Sequence, residues 1–304
     1  MLVVGGLVVA SLLVLAAVVA FSGDEAPEVL TLPAGAAPFS LAAGDEVLWV
    51  GNAGDLSVSR LRLSDGAAAG APITLPARPG GIAVGEHVWV GSIEGAEVVR
   101  LDPEAAGGRP VPLVVGRDPA AVALEDDDVW VAALNEGSII KLSSGGDIVE
   151  EITELEFPSA LAFLRGELWA ADVTEGTVSR IDTGTAEVAE TIEVGSGPTA
   201  LAADGTKLWV ALFRQQALAA LEPSGEVRVV DLGAAPSGVA TGDGYVWVTL
   251  PEEDALVRVD PTSLEVSDRV AVGDNPQGIV VAGGAVWVAN QGDNTVTRLA
   301  LPDE

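Results

Sequence analysis

Beyond residue 21, hydrophobic and polar positions alternate in short runs, and no segment shows helical spacing. The stretch after Pro158 shows the unit clearly. Pro158–Phe163, Glu167–Ala171, Thr177–Asp182 and Val188–Val194 are four short, largely alternating segments separated by Gly, Asp and Thr turns. Alternation with period two puts successive side chains on opposite faces of a strand, so each segment predicts a strand.

The unit recurs. Trp49, Trp89, Trp130, Trp169, Trp209, Trp247 and Trp287 follow one another at spacings of 40, 41, 39, 40, 38 and 40 residues. Ten or eleven residues before each lies a proline: Pro38, Pro79, Pro119, Pro158, Pro198, Pro236 and Pro276. In five repeats a glycine sits three before that proline: Gly35, Gly116, Gly195, Gly233 and Gly273. In six, a basic residue follows the tryptophan by eleven: Arg60, Arg100, Lys141, Arg180, Arg258 and Arg298, with Ala220 the exception. Independent landmarks in phase over seven copies define a repeat protein. Four strands in about 40 residues is the make-up of a propeller blade. Helical solenoids are excluded, because Gly and Pro interrupt every ten residues or so. The predicted fold is therefore all-β, a seven-bladed β-propeller of four-stranded blades over residues 28–304. One tryptophan per blade at a fixed strand position is expected to fill the wedge between neighbouring sheets.

Ring closure is predicted too. The last copy stops after its third strand, Thr295–Leu299, and an orphan strand, Glu28–Leu32, precedes the first. Residues 28–32 are expected to complete blade seven and so remove an open sheet edge.

Ahead of the ring, Leu2–Phe21 carries no charge over twenty residues. At about 1.5 Å per helical residue this reaches about 30 Å, the thickness of a bilayer core. Residues 1–22 are read as a transmembrane helix or signal anchor, and residues 23–27 as a short linker. The alternative is a signal peptide cleaved near Ala20, which would release the propeller. No Lys or Arg precedes the span and the first to follow is Arg60, so the positive-inside rule gives little guidance. The acidic propeller is expected outside the cytoplasm. A membrane helix beginning at residue 2 without a basic anchor fits a chain that continues upstream.

Charge narrows the partners. Asp and Glu number 45 against 15 Lys and Arg, a net charge of −30. Such a surface repels phosphate backbones, so nucleic acid is not an expected partner. With no cysteine, disulfides, thiolate metal sites and thiol nucleophiles are ruled out.

Val286–Asn290 followed by Asn294–Arg298, together with the approach Gly273–Ile279, resembles the YVTN-type propeller repeat. The resemblance covers residues 28–304. It is similar to propellers that actinobacterial exported proteins and membrane-anchored serine/threonine kinases carry outside the membrane. Related propellers include streptogramin lyases, lactonases and NHL-type sensor domains, so the resemblance implies architecture and leaves function open. Streptogramin lyase chemistry would imply a metal-assisted elimination by histidine and acidic residues. This chain has one histidine, His87, expected in an exposed turn. Lactonase chemistry, grouping His, Arg and Glu, has no counterpart here. No phosphate loop, nucleophile elbow or zinc motif occurs. The acidic runs Glu125–Asp128 and Glu252–Asp254 offer oxygen ligands for calcium without the spacing of a calcium loop.

The expectation is a non-catalytic, membrane-anchored binding module, a sensor or scaffold, monomeric and without cofactor or metal. Its partner would be a small molecule, glycan or protein. A lyase- or lactonase-like enzyme is the alternative. Blade five departs most, its second-to-third-strand loop reading Leu212–Gln216 where other copies carry small or acidic residues. Such loops share one face of the ring with the segments entering each proline. That face gathers the candidate binding residues Arg78, Arg117, Asp118, Phe157, Asp172, Phe213, Arg214, Asp274, Asn275 and Asn290.

Overall fold

The computed structural model describes residues 28–103, 109–267 and 269–302. Leu2–Phe21 lies outside them. Among the described residues no helix is long and apolar enough to cross a membrane.

Seven four-stranded antiparallel sheets make up the ring. Each blade runs from an inner strand to an outer one, as in blade four with Pro158–Leu164, Glu167–Asp172, Thr177–Asp182 and Glu187–Glu193. In blade seven the fourth strand is Val29–Pro33, paired antiparallel to Thr295–Ala300 with Thr31 opposite Thr297. The paired run thus sits one residue later than the sequence pattern placed it. Two outer strands are only two residues long, Ile73–Thr74 and Val270–Ala271.

Each repeated landmark has a physical job. Every tryptophan stands in the second strand and is at most 2% exposed. It packs on the next blade around the ring. Trp169 meets Leu208, Val210 and Leu221, and Trp287 meets Leu48, Val50 and Leu61 of blade one. Burying roughly 150–250 Å² at about 25 cal/mol per Å² makes each worth roughly 4–6 kcal/mol of transfer free energy. The basic residue eleven positions on is the tryptophan's direct neighbour across the ladder. In four blades its cation lies over the indole, 5.7 Å away for Arg60 on Trp49 and 5.2 Å for Lys141 on Trp130.

In five blades the proline opens the inner strand, where a missing N–H is tolerated. Just after it the ladder bulges in six blades, as between Pro158 and Ala160. A bulge re-aims the side chain beside it, here towards the central axis. The glycine three before the proline serves a close approach in blades one, five and seven. A Cβ at Gly35 or Gly273 would stand 2.5 Å from the side chain of Asn52 or Asn290. At Gly116 and Gly195 the backbone is left-handed, with φ of 139° and 128°.

Candidate ligand-binding face

Because strands alternate in direction, the second-to-third-strand loops and the segments entering each proline emerge on the same side. Hydrogen bonds tie the two sets together. The Asn275 amide donates to Asp254 Oδ1 at 2.9 Å, the Ser196 amide to Gln215 Oε1 at 3.1 Å and the Ala36 amide to Asp55 Oδ2 at 3.0 Å. The proline-bearing face is therefore a rigid rim.

The ten candidate residues fall into three groups on it. Asp172 and Asn290, the last residues of their second strands, are 3% and 0% exposed. Asp172 accepts from the backbone amides of Glu156, Phe157, Thr174 and Glu175 at 2.9–3.1 Å. Burial pushes its carboxyl upward, but those four amides outweigh it and hold the pKa below the usual carboxylate value. Asn290 donates to the hydroxyls of Thr295 and Thr297, both at 2.9 Å. The Asp172 side chain is thus spent on holding its loop, whereas Asn290 ties the third strand of blade seven and leaves its Oδ1 buried without a partner.

Asp118, Asn275, Asp274 and Arg78 are joined to the rim itself. Asp118 and Asn275 sit before their prolines with φ of 52° and 54°, a left-handed conformation that Asp and Asn tolerate best after glycine. The Asp118 carboxylate accepts from the Glu94 amide and the Asn135 side chain. The Asp274 amide donates to Asp293 Oδ2 at 3.2 Å. Arg78 Nη1 lies 3.7 Å from Glu94 Oε1.

Phe157, Phe213, Arg117 and Arg214 are the exposed group, the two phenylalanines 37% and 47% exposed. Phe213 is anchored by its amide on the Gly197 carbonyl at 2.9 Å. Arg214 packs where a Cβ on Gly197 would fall, 2.8 Å from its Cγ, which together with a φ of 71° accounts for that glycine.

Inside the rim lies a feature the sequence reading missed. The inner strands of all seven blades line a cavity of about 510 Å³ at the mouth of the central channel. Ile93, Leu134 and Val173 reach it from a single repeat position, four residues past each tryptophan. Phe39 reaches it from the bulge after its proline. That column of residues was the available signal, and Phe213 belongs to it in blade five.

The opposite face holds the other candidates. His87 is half-buried rather than fully exposed, its ring edge-on to Trp89 at 6.4 Å. Burial, then the neighbouring Asp126 and Asp128, raise the pKa of Glu125, while Lys141 pairs with Asp128 at 2.9 Å. Among the described residues no group of three or more His, Asp or Glu side chains is arranged to hold a metal ion.

In overall shape the chain is similar to virginiamycin B lyase from Staphylococcus aureus, with a TM-score of 0.79 and 17% identity over 91% of this chain and 100% of the lyase. The chain folds as these propellers do. A catalytically inactive histidine-to-alanine variant of that lyase, with quinupristin, superposes at 0.80, again with 17% identity and the same coverage. The WD40 propeller domain of Doa1 is nearly as similar, at 0.77 and 12% identity over 90% of this chain and 96% of that one. Identities this low speak for the fold alone. No protein-family model matches the chain, and no curated protein matches it in sequence.

Proposed function

We propose that this chain is a non-catalytic binding propeller whose proline-bearing face receives a small molecule, glycan or protein. One observation carries the reading. Two exposed phenylalanines and two exposed arginines, Phe157, Phe213, Arg117 and Arg214, share a rim that hydrogen bonds hold rigid. Rigid aromatic and arginine side chains supply contact area at low entropic cost and dominate binding energetics. In a chain of net charge −30, those arginines also make a local positive contrast.

The anchoring reading belongs to the same proposal. Leu2–Phe21 would hold the ring at a membrane, outside the cytoplasm, as a sensor or scaffold. N-terminal sequencing of the mature protein from native cells tests it. Retention of Leu2–Phe21 supports the anchor, and a mature start near Phe21 replaces it with a secreted propeller.

The fold likeness to a lyase favours an enzyme as the second reading. Against it stands the lyase's own dependence on a histidine, since replacing it leaves that enzyme catalytically inactive. The single histidine here, His87, lies on the face away from the rim and beside a tryptophan. Incubation with quinupristin, followed by mass spectrometry of the products, separates the two. Unchanged quinupristin is expected, and time-dependent conversion abolished by His87→Ala would establish the enzyme instead.

A further inference from the structure

We propose that the channel mouth on the proline-bearing face is a binding site for a small uncharged molecule with an apolar body and a hydrogen-bond acceptor at one end. This deepens the reading of that face as the binding face and rests on it.

The cavity of about 510 Å³ is of the size that encloses a small ligand, within the roughly 300–1,000 Å³ common for such sites. None of the residues lining it is charged, in a chain where Asp and Glu number 45 of 304. A charged ligand would leave water there for a wall that offers it no counter-ion, which disfavours it strongly. On the opposite face a cavity of about 920 Å³, set between blades seven, one and two, is lined by Asp45, Glu46 and Arg60 among others. The two cavities are chemically distinct, and only the first suits an apolar guest.

The wall is itself two-sided. Phe39, Ile93, Leu134 and Val173 give an apolar arc from blades one to four. Blades six and seven give a polar arc joined by a chain of hydrogen bonds. Ser237 Oγ donates to Gln277 Oε1 at 2.7 Å, Gln277 Nε2 to Asn275 Oδ1 at 2.7 Å, and Asn275 Nδ2 to Gln291 Oε1 at 3.0 Å. Every bond runs in one sense, so the Gln291 amide nitrogen is the last donor, on the rim of blade seven. An acceptor on a ligand at the channel mouth would be met by this donor. The apolar body then lies against blades two to four, and its oxygen faces blade seven.

Methyl-resolved NMR of the full chain tests this, because it reads the site whatever else the probe dissolves into. The probe is menthone, uncharged and apolar with one carbonyl acceptor, and its counterpart is cyclohexanecarboxylate, of similar bulk but anionic. Menthone should give saturable shifts at the methyls of Ile93, Leu134 and Val173, and the carboxylate none. Val173→Asp should abolish the response at Ile93 and Leu134. Gln291→Leu, away from the apolar arc, should weaken it about fivefold, the effect of one ordinary hydrogen bond. Arg214→Ala should leave it unchanged. No saturable shift, an equal response to the carboxylate, or indifference to both Val173→Asp and Gln291→Leu would overturn the proposal. Because Arg214 belongs to the rim and not to the cavity, loss of menthone binding with rim contacts retained removes this inference alone.

Discussion

Lys207 stands with its ammonium 5.7 Å from the centre of the Trp209 ring, and so supplies the cation that Ala220 does not. In blades one, two, three and seven that charge comes from the third strand, directly across the ladder from the tryptophan. In blade five it comes from two residues before the tryptophan in the same chain segment. Lys207 is held there by the Pro261 carbonyl at 2.8 Å and Glu222 at 3.3 Å. The missing base at position 220 is thus a change of packing and gives blade five no binding role of its own. The exposed Phe213–Arg214 pair remains the argument for that blade.

Lys207→Met should therefore destabilise the ring by about 1–2 kcal/mol, through the lost cation–π contact and a half-buried ion pair. Urea unfolding read by tryptophan fluorescence measures it. Adding Ala220→Arg to the Lys207→Met variant should recover part of the loss, since the arginine restores the arrangement of blades one, two, three and seven. An unaltered midpoint in the single variant would show that the cation over Trp209 is incidental.

Trp169→Ala should cost about 3–5 kcal/mol, combining lost transfer energy with the cavity left against Leu208 and Val210. Equilibrium unfolding decides it. A variant as stable as the parent would mean that the inter-blade wedge is not where the stability resides.

Asp172 links stability to pH. Its pKa is lowered in the folded chain, so its contribution is fully present above the unfolded value of about 3.9 and is lost as pH falls through the folded value. Asp172→Asn should lower stability at pH 7 by about 1–3 kcal/mol, because four amides then compete for one carbonyl oxygen. It should also flatten the fall in stability between about pH 4 and the folded pKa. Thermal midpoints across pH 2–7 provide the check, and parallel curves for the two proteins would contradict the assignment.

Removal of residues 1–33 should leave the edge at Thr295–Ala300 unpaired. An open strand edge recruits other chains, so the truncated protein should unfold at lower temperature and self-associate. Light scattering with calorimetry measures both, and a monomer of unchanged stability would show that the latch is dispensable.

The ring was legible because its landmarks are repetitive and each answers to local physics. Trp wedges, bulge-forming prolines and ladder-paired cations recur in phase, so seven copies reinforce one another. The candidate site was legible only in part. Asp172 and Asn290 sit in the same face-forming positions as true rim residues, and a sequence does not reveal whether a carboxylate or amide turns outward or folds back on its own loop. The cavity was missed for the opposite reason. Ile93, Leu134 and Val173 look like core residues, and only the geometry of the ring turns them toward the axis. Leu2–Phe21 lies outside the described residues, so the membrane span rests on its hydrophobic pattern.

The central claim is that partners meet the proline-bearing face, and site-specific photo-crosslinking in native cells addresses it most directly. A benzophenone amino acid would replace Phe213 in one strain and His87, on the opposite face, in another. The account predicts discrete adducts from position 213, much reduced when Arg214→Ala is added, and none of comparable yield from position 87. Adducts from position 87 with none from position 213 would contradict it.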